Sequence, residues 1–200
     1  MGTGGVDGRT LRYQHRRPEL LAAATEYVLD HGISDVSLRT IAQALGVTHA
    51  TLLRHFSSKE ELLLQVLVKI HGDFLADLQG NGELGAAESA AEFVQAAWRR
   101  LYEPREQRQF VLLFELVGRT ARGPERGGRL VQSIISDWLV PIEQRLVREG
   151  WPPDEASALA TLVLAQVRGL QLDLVMTGDR ARIDRAFGPT IEMVSRPTVR

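Results

Sequence analysis

The sequence predicts an all-α protein, and three observations support this prediction. Apolar residues recur at three- and four-residue steps through most of the chain, which is the period of an amphipathic helix. The alternation typical of strands does not extend over a useful length, and no internal repeat of fixed period is visible. The 200 residues, 44% of them hydrophobic, suffice for one large domain or two small ones that share a core.

The first two predicted helices are bounded by proline, serine and glycine. Pro18 is expected to open the first helix, whose apolar residues recur up to Val28, and Gly32 to close it. The second helix begins after Ser37, which is expected to act as N-cap, and stops at Gly46. Because glycine adopts a positive φ without steric cost, the chain is expected to turn at Gly46.

The third and fourth helices are predicted from their caps. Thr48 is the expected N-cap of a short third helix that ends near Phe56. The run 57–61, SSKEE, then offers two overlapping capping boxes ahead of a long amphipathic fourth helix. A glycine-rich loop is expected at 80–85, where the composition changes.

The remaining helices are predicted to be longer and more apolar. They are expected at 86–103, 105–121, 127–149, 154–178 and 180–195. Pro141 lies inside the third of these, and because proline removes one backbone hydrogen bond, it is expected to kink or split that helix.

The net charge of −1 conceals an uneven distribution along the chain. Up to Lys59 there are seven Lys and Arg against five Asp and Glu, and the rest has seventeen against twenty. The residues Arg9, Arg12, His15, Arg16 and Arg17 follow one another with no acid between Asp7 and Glu19. They predict a basic arm, flexible over residues 1–15, so the overall charge does not exclude a nucleic-acid partner.

Several classes of function are excluded or disfavoured. The chain has no cysteine, which excludes a disulfide, a thiolate zinc site, an iron–sulfur cluster and a cysteine nucleophile. It carries no phosphate loop, GxGxxG or HExxH motif, so we expect no enzyme, no catalytic residues, no cofactor and no metal site. The longest uncharged apolar run, 156–167, is shorter than the roughly twenty residues that span a bilayer, so we expect a cytoplasmic protein without membrane contact.

The segment 37–56, SLRTIAQALGVTHATLLRHF, is the most informative part of the sequence. Its two short helices meet at a turn that contains Gly46. The small Ala42 allows the helices to cross closely, and Leu52 is spaced to bury against the first of them. This pattern is typical of a helix-turn-helix, although an unrelated αα-hairpin has the same spacing.

The stretch from about Pro18 to Leu67 resembles the DNA-binding region of the TetR family of transcriptional repressors, in which three helices precede a long connecting helix. The matching residues are the basic arm, Ala22-Ala23-Ala24, Gly32, Ser37-Leu38-Arg39-Thr40-Ile41-Ala42, Leu45-Gly46-Val47, Leu52, His55-Phe56 and Ser58-Lys59-Glu60-Glu61-Leu62. Leu53 departs from the pattern, because the family usually has a Tyr there that donates to a phosphate. The role of that position is therefore not carried over.

The resemblance implies a set of DNA contacts. Thr48 and His49 are implied contacts to base edges, with Ala50 and Thr51 against a thymine methyl and Arg39 against a guanine. The implied phosphate contacts are Ser37, Thr51, Arg54, His55 and Lys59. Two of these have alternatives, since Ser37 can act only as an N-cap and His55 can be a packed core histidine.

The C-terminal half resembles the family in layout, which implies an effector pocket. The expected lining residues are Phe74, Phe93, Trp98, Tyr102, Gln109, Phe110, Phe114, Glu115 and Trp138. Aromatic rings with a few polar groups suit such a pocket, although each ring alone is also explained as ordinary core.

The predicted helix at 154–178 is apolar on two sides and therefore needs partners on both. In the family the last two helices pair with those of a second copy, and we expect a homodimer through 154–178 and 180–195. The expected contacts are Leu159, Val163, Val167, Leu170, Leu174, Ile183, Phe187 and Ile191. The alternative is a monomer that buries this helix entirely.

Together these features predict three regions: the arm at 1–15, a helix-turn-helix DNA-binding domain at 16–62, and a helical effector-binding and dimerisation domain at 63–200. The expected function is a ligand-responsive transcriptional regulator, a repressor that binds a pseudo-palindromic operator in the major groove as a dimer. A small, largely apolar effector is expected to release it. The alternative is a helical small-molecule-binding module that does not bind DNA.

Overall fold

The computed structural model describes residues 8–34, 36–80, 82–120 and 128–195, and this part of the chain is helical with no strand. Its helices are α1 (Gly8–His31), α2 (Leu38–Ala44), α3 (His49–Phe56), α4 (Lys59–Gln79), α5 (Glu83–Ala86), α6 (Ala90–Arg100), α7 (Pro104–Thr120), α8 (Gly128–Arg148), α9 (Pro153–Thr177) and α10 (Arg180–Val194). The all-α prediction is confirmed.

The first helix begins ten residues earlier than the sequence predicts. α1 starts at Gly8 and continues through Pro18, which lies inside the helix. Proline removes only its own hydrogen bond to the carbonyl four residues before it, and its fixed φ is helical, so the helix continues on both sides. Residues 8–15, expected in the arm, therefore belong to α1, and residues 1–7 lie outside the described part of the chain.

The short helices α2 and α3 are closed by their own polar side chains. The Thr40 backbone N–H donates to Ser37 Oγ at 3.1 Å, and the Ser37 N–H donates to the Thr40 hydroxyl at 2.9 Å. Thr48 accepts from the Thr51 backbone N–H at 3.1 Å. Because helices this short gain little from their own hydrogen bonds, these caps matter for their stability.

The turns around α3 agree in part with the sequence. Gly46 has φ of +65°, as its position between the two short helices predicts. Of the two serines expected to cap α4, Ser58 does so, accepting from the Glu61 N–H at 3.1 Å. Ser57 is instead the C-cap of α3, with φ of +40°. A serine in that conformation cannot also serve as an N-cap, which needs extended backbone.

Two boundaries further along differ from the prediction. The expected loop at 80–85 contains the short helix α5, and α6 begins at Ala90 rather than at 86. Ser89 fixes that start, because its side chain and that of Glu92 form a capping box. Pro141 does not split α8, which is one helix from Gly128 to Arg148.

The core consists of two clusters that share helices. The first holds α1 to α3 together with Leu62 and Val66 of α4 and Leu112 of α7. The second joins α6, α8, α9 and α10, and Phe74 and Leu78 of α4 pack against it. α4 thus contributes to both clusters, and α7 closes the first while bordering the cavity described below.

α9 is long and apolar enough, by length and composition, to cross a membrane. One such helix is weak evidence, because the central helix of a soluble protein has the same properties. Here α9 packs against α8 and α10, and Ala160 and Val163 are fully buried between them.

Candidate DNA interface and ligand cavity

The helix-turn-helix exposes most of the side chains that the sequence assigns to DNA. Ser37, Arg39, Thr48, His49, Ala50 and Arg54 are exposed, and Thr51 and Lys59 are half-buried. They lie at the starts of α2, α3 and α4 and along the outer side of α3. Together they form one surface, which we call the α2–α3 surface.

Two cations and one histidine on this surface have no side-chain partner within the described part of the chain. The side chains of Arg39, Lys59 and His49 form no hydrogen bond or ion pair with another described residue. Exposed basic side chains are usually drawn into surface ion pairs when acids are near, so these groups are available to an external anion. Phosphate oxygens and the acceptor edge of guanine are such anionic or electronegative groups.

The hydroxyl groups are more committed than the cations. The Thr48 and Thr51 hydroxyl oxygens are 2.8 Å apart, and Thr48 caps α3. Ser37 is held in the capping box of α2, so its predicted role as N-cap is confirmed. A capping oxygen keeps its own proton, and a hydroxyl can still donate that proton to a phosphate.

His55 does not belong to the exposed surface, which corrects the expected phosphate contact. Its side chain lies on the inward face of α3 with Leu52 and Phe56, and the residue is only 7% exposed. Burial, together with the nearby Arg54 and Arg17, lowers the pKa of its imidazole. Since burial opposes protonation, His55 acts as a neutral core histidine.

Arg17 joins α1 to α3 and α4. Its Nε donates to the His55 backbone carbonyl at 3.3 Å, and its Nη2 lies 3.7 Å from the Glu61 carboxylate. The guanidinium also lies 5.2 Å from the Phe56 ring centroid. Arg17, counted with the basic arm in the sequence, therefore holds the three-helix module together.

A cavity of about 110 Å³ lies between α4, α7, α8 and α9. Its lining is mostly aliphatic and aromatic with a few polar groups. The lining residues are Leu67, Ile70, His71, Phe74, Leu101, Glu106, Gln109, Phe110, Leu112, Leu113, Ile134, Trp138, Leu164, Val167, Arg168 and Gln171.

Four residues that the sequence assigns to a pocket line this cavity. They are Phe74, Gln109, Phe110 and Trp138. Phe74 and Trp138 stack with ring centroids 4.3 Å apart and form an aromatic wall between α4 and α8. Gln109 and Glu106 provide polar groups on the α7 side.

The other five expected residues lie elsewhere, for reasons of packing. Phe93 is fully buried behind Trp138, with centroids 6.2 Å apart, and Phe114 is 38% exposed on the outer side of α7. Trp98 stacks on Phe187 at 4.3 Å and donates its indole N–H to Asp184 at 3.0 Å.

Tyr102 and Glu115 are also displaced from the cavity. Tyr102 donates to Asp184, and burial with this carboxylate raises the pKa of its phenol to about 12. Glu115 accepts a hydrogen bond from the Ile33 backbone N–H at 2.7 Å, just past the end of α1. These two residues connect helices and do not face a ligand.

α7 is bound to α1 by charged contacts as well as by Glu115. Arg105 lies 2.9 Å from the Glu26 carboxylate, and the Arg108 Nε lies 3.2 Å from that of Asp30. The face of α7 that carries these residues is distinct from the face that lines the cavity. α7 therefore connects the cavity to α1, the helix that precedes the helix-turn-helix.

Four polar lining residues were missed from the sequence: His71, Glu106, Arg168 and Gln171. Arg168 offered the clearest signal, because it is the one charged residue of α9 between Glu155 and Asp173. Such a residue needs either solvent or a partner. The sequence does not show which face of that helix encloses a cavity.

The expected dimer contacts lie inside the protomer and need correction. Val163, Val167, Leu174, Ile183 and Phe187 are buried, and Leu159, Leu170 and Ile191 pack half-buried against the same cluster. The opposite face of α9 is exposed instead. It carries Leu162, Leu172, Val175 and Met176, exposed by 46%, 41%, 41% and 76%.

The family model described as bacterial regulatory proteins, tetR family, matches residues 20–66. This chain is similar to the HTH-type transcriptional activator FasR of Mycolicibacterium smegmatis, with 42% identity over 32% of this chain and 29% of that protein. It is 34% identical to the transcriptional repressor KstR2 of the same organism, over 46% of this chain and 44% of that protein. The chain thus spans less than half the length of these two relatives.

Solved structures extend the likeness to the whole fold. A transcriptional regulator from Rhodococcus sp. Rha1 has a TM-score of 0.74 at 24% identity, covering 89% of this chain and 95% of that chain. A regulator from Saccharomonospora viridis, solved in complex with choline, has a TM-score of 0.76 at 19% identity, covering 92% and 97%. The sequence match to the tetR family model thus covers the helix-turn-helix, and the solved structures share the fold around it.

Proposed function

We propose that this protein is a DNA-binding transcriptional regulator whose affinity for its operator is lowered by a small ligand. The observation that carries the proposal is the α2–α3 surface, on which the side chains of Arg39, His49 and Lys59 have no partner among the described residues. A recognition helix presents its first residues to base edges, and helix N-termini bind phosphates. His49 is the first residue of α3 and Lys59 the first of α4, which supports these roles.

Dimerisation is part of the proposal, because one helix-turn-helix contacts few base pairs and a twofold dimer reads two half-sites. The exposed residues Leu162, Leu172 and Met176 lie on one stripe of α9, together with the small residues Ala165 and Gly169 between them. Their spacing of three and four residues is that of a helix-packing seam. A second copy that covers this stripe would bury apolar surface that water now contacts.

The outward face of α10 supports the same interface. Ala181, Arg185, Gly188 and Glu192 recur at three- and four-residue steps and are exposed. The opposite charges of Arg185 and Glu192 suit an isologous contact, in which Arg185 of one copy meets Glu192 of the other across a twofold axis. The proposal also includes a single boundary between residues 62 and 63, which separates the DNA-binding domain from the effector-binding domain. It further includes a cytoplasmic location.

Ligand control follows from helices that serve both regions. α4 begins at the α2–α3 surface and lines the cavity with Ile70 and Phe74. α7 lines the cavity with Gln109 and Phe110, and its Arg105 forms an ion pair with Glu26 of α1. A ligand that fits one arrangement of these helices better shifts the population toward it, by a coupling of typically about 1–3 kcal/mol. When the operator overlaps a promoter, such a regulator is a repressor. The choline complex of a neighbour supports a small-molecule ligand of some kind.

Selection of bound sequences from a random duplex pool tests the proposal. We expect a pseudo-palindromic consensus and an affinity that falls steeply with salt, because phosphate contacts release counterions. Lys59→Ala should weaken binding to all sequences equally and reduce the slope against salt by about one. Lys69→Ala is the matched control, since Lys69 lies on the same helix but is paired with Asp73. A pool without enrichment would favour the module that binds small molecules alone.

A further inference from the structure

The cavity contains one cation that has no partner. The Arg168 Nη2 atom is buried and forms no hydrogen bond with any described residue. Burial removes water from the guanidinium and so lowers its pKa, and no carboxylate among the described residues opposes this effect. An arginine nevertheless remains protonated in a protein, so its positive charge persists in the cavity.

The other charged groups of the cavity are already engaged. The Glu106 Oε1 accepts from the Arg100 Nε at 2.8 Å. His71 Nε2 lies 2.7 Å from the Asp137 carboxylate. The unbalanced charge of the lining is therefore the positive charge of Arg168, and Gln171 stands beside it on the next turn of α9 with only 7% exposure.

A buried unpaired charge is unfavourable and is normally found where something compensates for it. The geometry of a guanidinium matches a carboxylate through two parallel hydrogen bonds. A doubly charged phosphate fits less well, because the Glu106 carboxylate lines the same cavity. The remaining walls are apolar and aromatic, and a cavity of about 110 Å³ has room for one ring or a short acyl chain.

We propose, resting on the ligand-responsive function above, that the ligand is a compact organic monocarboxylate whose carboxylate binds Arg168 and whose apolar body packs against Phe74 and Trp138. Gln171 is placed to donate its amide N–H to the second carboxylate oxygen. Arg168 is thus the residue that selects the charge of the ligand.

The test uses matched probes on the full-length protein without DNA. Phenylacetate is compared with phenylacetamide and phenethylamine, and hexanoate with hexanamide, by calorimetry and by the fluorescence of the tryptophans. We expect at least one acid to bind tenfold or more tightly than its amide, and the amine not to bind. Arg168→Met should remove this preference, whereas Arg148→Met, which replaces an exposed arginine of α8, should retain it.

Stability provides an independent readout. Because Arg168→Met removes an uncompensated buried charge and keeps the apolar stem, the variant should melt at a higher temperature than the unliganded parent protein. A lower melting temperature, equal binding of acids and amides, no binding of either acid, or an unchanged preference in Arg168→Met would each overturn the carboxylate site. A protein that binds an acid but selects no duplex would overturn the DNA-binding function and leave this site standing.

Discussion

The N-terminal and C-terminal regions place their unpartnered basic side chains differently. Arg39 and His49 are exposed at the starts of short helices, whereas the Nη2 of Arg168 is buried beside the cavity. An exposed cation suits a polyanion larger than the protein itself, and a buried one suits a ligand small enough to be enclosed. The contrast matches the two proposed kinds of recognition, of DNA at an exposed surface and of a small ligand in an enclosed cavity.

The helices of the two regions also differ, in their length and in their capping. α2 and α3 have seven and eight residues and depend on the caps Ser37 and Thr48, while α9 has twenty-five and begins with no side-chain cap. Short capped helices hold exposed side chains at fixed positions, and long helices enclose a cavity through their packing. α4 and α7 contact both regions, so the proposed communication between the regions passes through these two helices.

The largest expected effect tests whether the two cores are independent. Phe56 and Phe93 are both fully buried, one in each cluster. Replacing either with Ala should lower the free energy of unfolding by about 3–5 kcal/mol. Because α4 contributes to both clusters, urea unfolding should remain a single transition in each variant. Two separated transitions, seen by fluorescence and circular dichroism, would show that the cores unfold on their own.

A pair of arginine variants should separate the two recognition modes. Arg39→Ala is expected to cost about 1–3 kcal/mol in operator binding and to relax preference at one base pair, since a bidentate guanine contact is lost. Its affinity for phenylacetate should be unchanged, and Arg168→Met should show the reverse pattern. Selection from the random pool and calorimetry provide the two measurements. Loss of both activities in either variant would contradict the separation.

The sequence predicts the turns and caps of the N-terminal region better than the packing of the C-terminal helices. Gly46 and Thr48 were predicted correctly because a positive φ and an N-cap depend on neighbouring residues alone. Val167 was assigned to a dimer contact but lines the cavity, because periodicity separates the faces of a helix without showing what each face contacts. The start of α6 can be predicted from Ser89 and Glu92, because their spacing is that of a capping box.

His55 is a residue for which the sequence analysis leaves two interpretations open. The residue type and its place near the end of a recognition helix were compatible with a phosphate contact and with a core position. The choice depends on which side of α3 faces α1 and α4. His55 follows the fully buried Leu52 by three residues and therefore lies on the same inward face of the helix.

Communication between the regions should weaken when the hydrogen bond between Glu115 of α7 and the backbone just after α1 is removed. Glu115→Ala removes the carboxylate that accepts from the Ile33 N–H. The ratio of operator affinities without and with phenylacetate should therefore fall severalfold, from a coupling of typically about 1–3 kcal/mol. Phenylacetate binding itself should be unaffected, since Glu115 does not line the cavity. Glu83→Ala, which breaks an exposed ion pair with Arg99, is the control. An unchanged ratio would place the communication in α4 alone.

The turn between α2 and α3 should be sensitive to backbone conformation but not to space. A Cβ at Gly46 would meet no atom within 4 Å, yet φ is +65°. Gly46→Ala should therefore destabilise the protein by about 1–2 kcal/mol through backbone strain alone. Urea unfolding measures this loss, and Gly72→Ala in the middle of α4, where a Cβ is equally free, should be neutral or stabilising. Equal effects at both positions would contradict the assigned strain.

The smallest expected effect lies on the exposed side of α3. Leu53 is 42% exposed there, beside Arg54, where the family usually has a tyrosine. Leu53→Tyr adds a hydroxyl that can donate to a phosphate, and one such hydrogen bond is worth about 0.5–1.5 kcal/mol. Operator affinity should rise by that amount for all sequences, while Leu53→Phe, with the ring but no hydroxyl, should not produce the gain. If phenylalanine strengthens binding as much as tyrosine, position 53 contacts DNA through apolar packing, and the missing phosphate contact is supplied by another residue of the α2–α3 surface.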